Sequence, residues 1–192
     1  MKKLKIAVIA SIALVSIYAF TPKSTKFIEP NYKANLENSK VEFSGSKKNG
    51  YHPGVLNLKS GGLAIEAGKI TGGNFVIDMA SVKVTDGAGE KLAGHLKAPD
   101  FFDVAKFGEA TYNITSVNYT SENTATIKGD LTVKGISVNV NLDAFIRSVD
   151  ETKGTFFAEA FLNLDRTLFG MSYGVGNISK DVQVSIHLFA SK

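Results

Sequence analysis

From residue 40 onward the chain alternates apolar and polar positions in short runs. In Ala125 to Val133 the positions Ala125, Ile127, Gly129, Leu131 and Val133 are apolar or small, and Thr126, Lys128, Asp130 and Thr132 are polar. The next run inverts the parity: Ile136, Val138, Val140, Leu142, Ala144 and Ile146 are apolar, and Ser137, Asn139, Asn141 and Asp143 are polar. Period two with one apolar face predicts half-buried strands. Only Lys134 and Gly135 separate the runs, and a two-residue loop pairs Val133 with Ile136 on one face. The register follows: Leu131 faces Val138, Gly129 faces Val140 and Ile127 faces Leu142, with Asp130 facing Asn139 and Lys128 facing Asn141.

The same alternation predicts strands at Lys40–Gly45, His52–Ser60, Leu63–Ala67, Ile70–Asp78 around a Gly68-Lys69 turn, Glu109–Tyr119, Thr155–Asp165 and Asp181–Phe189. Eight or more antiparallel strands with one apolar face need a sandwich or a closed barrel to bury it. Residues 86–107 break the pattern. Glu90 to Lys97 predicts a short helix with Leu92 and Leu96 on one face and Pro99 after its end. Phe101, Phe102 and Phe107 follow closely, so the helix and aromatic turn read as a plug or lid at one end of the barrel. A membrane barrel would alternate too, but with polar residues inside and aromatic girdles on its strands. Here the apolar faces are mainly Ala, Val, Ile and Leu.

The first segment changes the picture of where the chain goes. Lys2, Lys3 and Lys5 precede an apolar run from Ile6 to Phe20, and Thr21-Pro22-Lys23 ends it. About 15 apolar residues suit a signal peptide and fall short of the roughly 20 a spanning helix needs. Cleavage is placed after Ala19, leaving no stable transmembrane segment. The expected organisation is a signal peptide over 1–19, a flexible lead-in over 20–31 and one barrel domain over 32–192. The expected location is periplasmic or secreted. Removing 1–19 takes away three Lys and no acid, lowering the net charge from +4 to +1. The basic balance thus belongs mostly to the export segment, and nucleic acid is not an expected partner. There is no Cys, so no disulfide supports the fold.

The candidate chemistry is that of a lumen. A small barrel is filled by side chains or holds one ligand. Gly129, Ala125, Ala144, Ala158 and Ala160 are small and inward by parity, which favours a tunnel over a solid core. Leu56, Leu58, Leu96, Leu131, Ala158 and Ala160 are candidate lining residues. Phe101, Phe102 and Phe107 are candidates at the entrance, and Phe169 is a further candidate ligand-binding residue. Arg166 continues the inward parity of Leu162 and Leu164. It reads as a headgroup contact or, preferred, as an ion pair with Asp100 or Asp103. His52 shares the parity of Leu56 and Leu58 near the opening, with structural hydrogen bonding preferred to ligand contact. His95 is expected to cap or pack, and His187 to be solvated. Three scattered His without Cys predict no metal site. No Gly-x-Ser-x-Gly elbow occurs, Gly174-Val175-Gly176 lacks a βαβ setting, and nothing pairs Asp78, Asp100, Asp103 or Asp165 around a substrate, so no catalytic residue is assigned. Phe157 and Phe161, on the outward face, are expected under the helix or in a dimer contact.

The segment His95-Leu96-Lys97-Ala98-Pro99-Asp100-Phe101-Phe102-Asp103-Val104-Ala105-Lys106-Phe107 resembles the signature of the YceI family of bacterial exported, lipocalin-like barrels. His52 with Gly54-Val55, Asp78 with Ser81, the Gly129–Gly135 hairpin, Arg166 with Phe169-Gly170, and Asp181-Val182 resemble other family motifs, over about residues 32–190. The chain departs from the family at Tyr32, where Trp is common, and at Ala93-Gly94, where an Arg-Asp pair often stands. The resemblance implies a closed antiparallel lipocalin-like barrel that holds a polyisoprenoid or similar lipid, and often a homodimer. The resulting expectation is non-catalytic binding, transport or sequestration of a long apolar lipid, with that lipid as ligand and no cofactor. An enzyme acting on a lipid in the same cavity and an interaction module with a filled core remain open alternatives.

Overall fold

A computed structural model describes residues 29–192; the expected signal peptide and most of the lead-in lie outside the described residues. The elements are β1 (Tyr32–Ala34), β2 (Lys40–Lys47), β3 (Gly50–Glu66), β4 (Lys69–Val84), α1 (Gly89–Lys97), β5 (Glu109–Tyr119), β6 (Thr124–Val133), β7 (Ile136–Asp150), β8 (Thr155–Asp165), a 3₁₀ turn at Arg166–Phe169, and β9 (Ile178–Ser191). Each of β2 to β9 pairs antiparallel with its neighbours, and the β3–β4 pairing closes the sheet into an eight-stranded barrel. Closure removes the free edges that an open sheet would expose. β1 pairs with both β3 and β9 beyond the end of β2, and so completes the wall at one end.

The β6–β7 hairpin has the expected register, from Val133 opposite Ile136 to Ile127 opposite Leu142. Lys134 and Gly135 both take positive φ, 53° and 75°, the requirement of a type I′ turn. The polar face is tied as well, since Asn139 Nδ2 donates to Asp130 Oδ1 at 2.9 Å. Ile127, Val133 and Leu142 are buried inside while Lys128, Asn139 and Asn141 are exposed. That is the reverse of the polarity of a water-filled membrane barrel.

Three expectations about elements are corrected. His52–Ser60 and Leu63–Ala67 are one continuous strand, β3, because its register with β4 shifts at irregularities near Asn57, Ser60 and Ile65 instead of breaking. Such bulges change parity without ending a strand. The β3–β4 turn is Ala67-Gly68, with φ of 48° and 73°, one residue before the expected Gly68-Lys69. Phe157 and Phe161 are not under the helix. Helix α1 packs on β4, across the barrel from β8, whereas Phe157 stacks on Phe189 with ring centroids 4.2 Å apart and Phe161 meets Phe145 edge-on.

The two ends of the barrel differ. At the β1 end Tyr32, Leu63, Ile65, Ile70 and Phe156 are all buried, and Asn31 ties its amide side chain to Ile65 N and O. Among the described residues the Tyr32 hydroxyl, buried with them, has no hydrogen-bond partner. An unpaired buried hydroxyl costs about 1–3 kcal/mol. Tyr32→Phe is therefore expected to raise the stability by about 1 kcal/mol, read as an increased midpoint in chemical denaturation.

At the other end β4 runs on past its pairing with β5, which covers only Asn74–Asp78. Helix α1 and the aromatic turn cover this gap. Met79 N donates to Gly108 O, and the backbone of 101–104 is bonded to that of 96–98.

Candidate lumen and its mouth

The barrel encloses a cavity of about 410 Å³, within the range of roughly 300–1,000 Å³ typical of small-molecule sites. Its depth is set by Leu63, Ile70 and Phe156, all nearly inaccessible to solvent. Its waist is lined by Ala144, Ala158 and Ala160 on β7 and β8, and Ala144 is directly opposite Ala160. The absence of longer side chains on these two adjoining strands leaves the space that larger residues would occupy.

The polar groups gather at the α1 end, where Ser46, Lys47, His52, Arg166 and Ser179 join the lining. Ser46 and Lys47 are exposed, so this end is the mouth. Leu92 and Leu96 of α1, with Phe101 and Phe102, close over it. The amphipathic spacing of the helix is what turns these two Leu inward.

Of the candidate ligand-binding residues, His52, Leu56, Leu58, Leu96, Phe101, Phe102, Leu131, Ala158, Ala160 and Arg166 border the cavity. Phe107 and Phe169 do not. Phe107 packs on the β6–β7 turn, where a side chain on Gly135 would meet its ring. Phe169 is completely buried beneath the 3₁₀ turn. The role expected for Gly129 is also corrected. A Cβ there would fall 2.4 Å from the Tyr112 ring, so the glycine accommodates an aromatic from β5 and adds no free space. Burial pushes the Tyr112 phenol well above its ordinary range, and the hydroxyl donates to Ile127 O at 3.3 Å.

Tyr112, Phe43 and Phe75 also line the lumen, as do alternate residues of β9 from Val182 to Leu188. None was among the candidate site residues, although the inward parity of Tyr112 and of the β9 stripe was readable.

Arg166 is buried, but its partners are not Asp100 or Asp103. Its Nε donates to Ser179 O at 2.8 Å and Nη1 to Met171 O at 2.5 Å. Its Nη2 donates to Tyr173 O at 2.9 Å and Ile178 O at 3.3 Å. The guanidinium thus replaces the backbone donors that a loop without regular structure lacks. Burial lowers its pKa, yet an arginine remains charged in proteins. The neighbouring Asp165 accepts from Thr167 N and Oγ1 and from Lys180 Nζ. The hydroxyl of Thr167 and the Lys180 ammonium hold this carboxylate below its usual range.

His52 Nδ1 lies 2.7 Å from Asp86 Oδ2, while Asp86 Oδ1 accepts from Ala88 N at 3.0 Å. The Ala88 N–H, then His52, hold the Asp86 carboxylate below its ordinary range. The pair fastens the start of β3 to the turn that enters α1. His95 packs edge-on against Phe101 and Tyr173. His187 is on the outer wall between Glu159 and Glu42, at 3.3 and 3.7 Å. Among the described residues no three His, Cys, Asp or Glu side chains come together as a metal-binding set, and no helix is long and apolar enough to cross a membrane.

The same architecture occurs in solved proteins. BcnA of Burkholderia cenocepacia superposes with a TM-score of 0.72 at 21% identity, over 82% of this chain and 99% of that one. A polyisoprenoid binding domain from Saccharophagus degradans, implicated in plant cell wall breakdown, gives 0.68 at 16% identity over 85% and 99%. At such identities the likeness is one of fold. In sequence, a UPF0312 protein of Ectopseudomonas mendocina is 32% identical over 126 residues, 64% of this chain and 63% of that protein. A Pseudomonas fluorescens counterpart is 29% identical over 143 residues, 72% of each. The match thus spans just under two thirds of the first relative's length. The YceI-like domain model matches residues 32–190, the stretch that forms the barrel and its lid, and the chain belongs to the YceI-like domain family.

Proposed function

We propose that the barrel binds one long apolar lipid, a polyisoprenoid-type molecule or a fatty amphiphile, and carries or sequesters it without chemically changing it. The observation that carries this reading is the cavity of about 410 Å³ with almost entirely carbon walls, open at one end. Each methylene transferred from water into such a space contributes roughly 0.8 kcal/mol. Ten of them supply about 8 kcal/mol, the equivalent of micromolar affinity before the cost of ordering the chain is subtracted. The polyisoprenoid binding domain from Saccharophagus degradans, with the same fold, supports the isoprenoid class. Catalysis is not part of the reading, since His52 and Asp86 are engaged with each other and with the Ala88 N–H. We further propose that the chain works in the periplasm or outside the cell, delivered by its first 19 residues.

Native mass spectrometry of the purified protein tests the reading. The expected spectrum contains a mass excess that disappears on organic extraction and returns when a long-chain isoprenoid alcohol or fatty acid is added. A protein that carries no lipid and takes up neither probe would overturn it.

A further inference from the structure

The exposed apolar side chains are unevenly placed. Among the described residues eight large ones are exposed, and five of them, Tyr51, Ile136, Leu168, Tyr173 and Val175, belong to the mouth end. Tyr51 begins β3 beside the β2–β3 turn, and Ile136 begins β7. The other three are on the 3₁₀ turn and the loop that follows it.

These segments adjoin one another. Lys48 N in the β2–β3 turn donates to Asn177 O in the loop, and Ile136 approaches Gly170, two residues from Leu168. Tyr173 packs on Phe101 and His95 of the lid. Leu168, Tyr173 and Val175 are 54%, 48% and 57% exposed, although Arg166 holds this loop firmly in place from below. A loop fixed with its apolar side chains outward at the opening of an apolar cavity is an interaction surface.

Its electrostatics narrow the partner. Lys47 and Lys48 are exposed on the same rim, and Lys47 also borders the cavity. Neither is in an ion pair with a described residue. Two Tyr, three aliphatic tips and two unpaired Lys around an opening match the interface of a bilayer with anionic headgroups, where amphipathic aromatics and cations concentrate.

We propose that this rim docks on an anionic phospholipid bilayer with the mouth facing the membrane, so that an apolar ligand passes between bilayer and lumen without crossing water. The transfer of a ligand rests on the lipid-binding reading above; the docking itself rests on the rim. The chain has no Trp, so a single introduced Trp reports the environment of one site in the full chain. Val175→Trp places it on the rim, and Leu36→Trp on the opposite end, where Leu36 is 42% exposed.

With vesicles of phosphatidylcholine and phosphatidylglycerol, the Val175→Trp emission is expected to shift to the blue and to be quenched by bromine on the lipid chains. The Leu36→Trp emission is expected to remain unchanged. Combining Lys47→Gln and Lys48→Gln should lower the partitioning of the Val175→Trp protein about 30-fold, and added salt should act in the same direction. An unquenched Val175→Trp signal, or equal quenching at Leu36→Trp, would overturn the proposal. So would a blue shift that depends on protein concentration and not on vesicles, which would assign the rim to a second copy of the chain. Native mass spectrometry of the same variants separates the two readings. Retained lipid with an unquenched rim removes the docking alone, and a quenched rim on a protein that never holds lipid removes the binding alone.

Discussion

Arg166→Ala is expected to lower the thermal midpoint by roughly 6–12 °C, corresponding to a loss of about 3 kcal/mol. The side chain is buried and donates to four backbone carbonyls, those of Met171, Tyr173, Ile178 and Ser179. Removing it leaves these acceptors short of a donor in a site that water reaches poorly, and each buried unsatisfied group costs about 1–3 kcal/mol. Relaxation of the loop and entry of water recover part of the sum, which is why a figure near 3 kcal/mol is expected and not several times that. Arg166→Lys should recover little of the loss. An ammonium projects its donors from one point and cannot reach carbonyls spread around a planar fork. Leu168→Ala is the matched control: two residues away and 54% exposed, it should move the midpoint little. Calorimetry of the three variants checks the assignment. If Arg166→Ala melts like Leu168→Ala, the carbonyl network is not what holds the mouth loop.

Arg166 also marks the limit of what the sequence alone conveys. Its inward direction was legible from the parity of Leu162 and Leu164, but its partners were not. They are main-chain carbonyls of residues 171–179, whose directions follow from how the loop folds back and leave no residue-type signature. Acidic partners were the natural expectation because side-chain charge is visible in a sequence and carbonyl orientation is not. The β6–β7 hairpin was legible to the residue because two independent constraints, strand parity and turn length, agree there.

In β3 those constraints conflict. Ser60-Gly61-Gly62 has the composition of a break, but the strand passes through it, with Gly62 so close to Tyr32 O that a side chain would collide. The glycine marks the approach of β1, and only the tertiary structure distinguishes that from a turn. Gly129 repeats the lesson within the lumen. Small residues appeared equivalent by parity, but Tyr112 covers Gly129 whereas Ala144, Ala158 and Ala160 face free space. Hollow and filled positions differ in what lies across from them, which a single strand's sequence does not carry.

Ala144→Leu combined with Ala160→Phe is expected to abolish lipid retention while leaving the barrel as stable as before or more so. The two alanines are cross-strand partners on β7 and β8, and both border the cavity. In a packed interior, larger side chains force shifts that cost about 1–3 kcal/mol. In a void they gain contacts and bury additional apolar surface, so stability and binding should change in opposite directions. If the new side chains take the space of about four methylenes, the ligand loses roughly 3 kcal/mol, about 200-fold in affinity. Parallel measurements decide the matter: a denaturation midpoint for the fold, and titration with a fluorescent long-chain probe for the site. A double variant that is destabilised while still binding the probe would mean that the waist is packed solid and the ligand lies elsewhere. Retained stability with lost binding would locate the ligand at the alanine waist, below the lid formed by Leu92, Leu96, Phe101 and Phe102. The lid residues would then act on the rate of entry more than on affinity, because they cover the mouth and not the depth of the cavity. Phe102→Ala should accordingly speed probe uptake in a stopped-flow measurement, with a smaller change in the equilibrium constant than the waist variants produce.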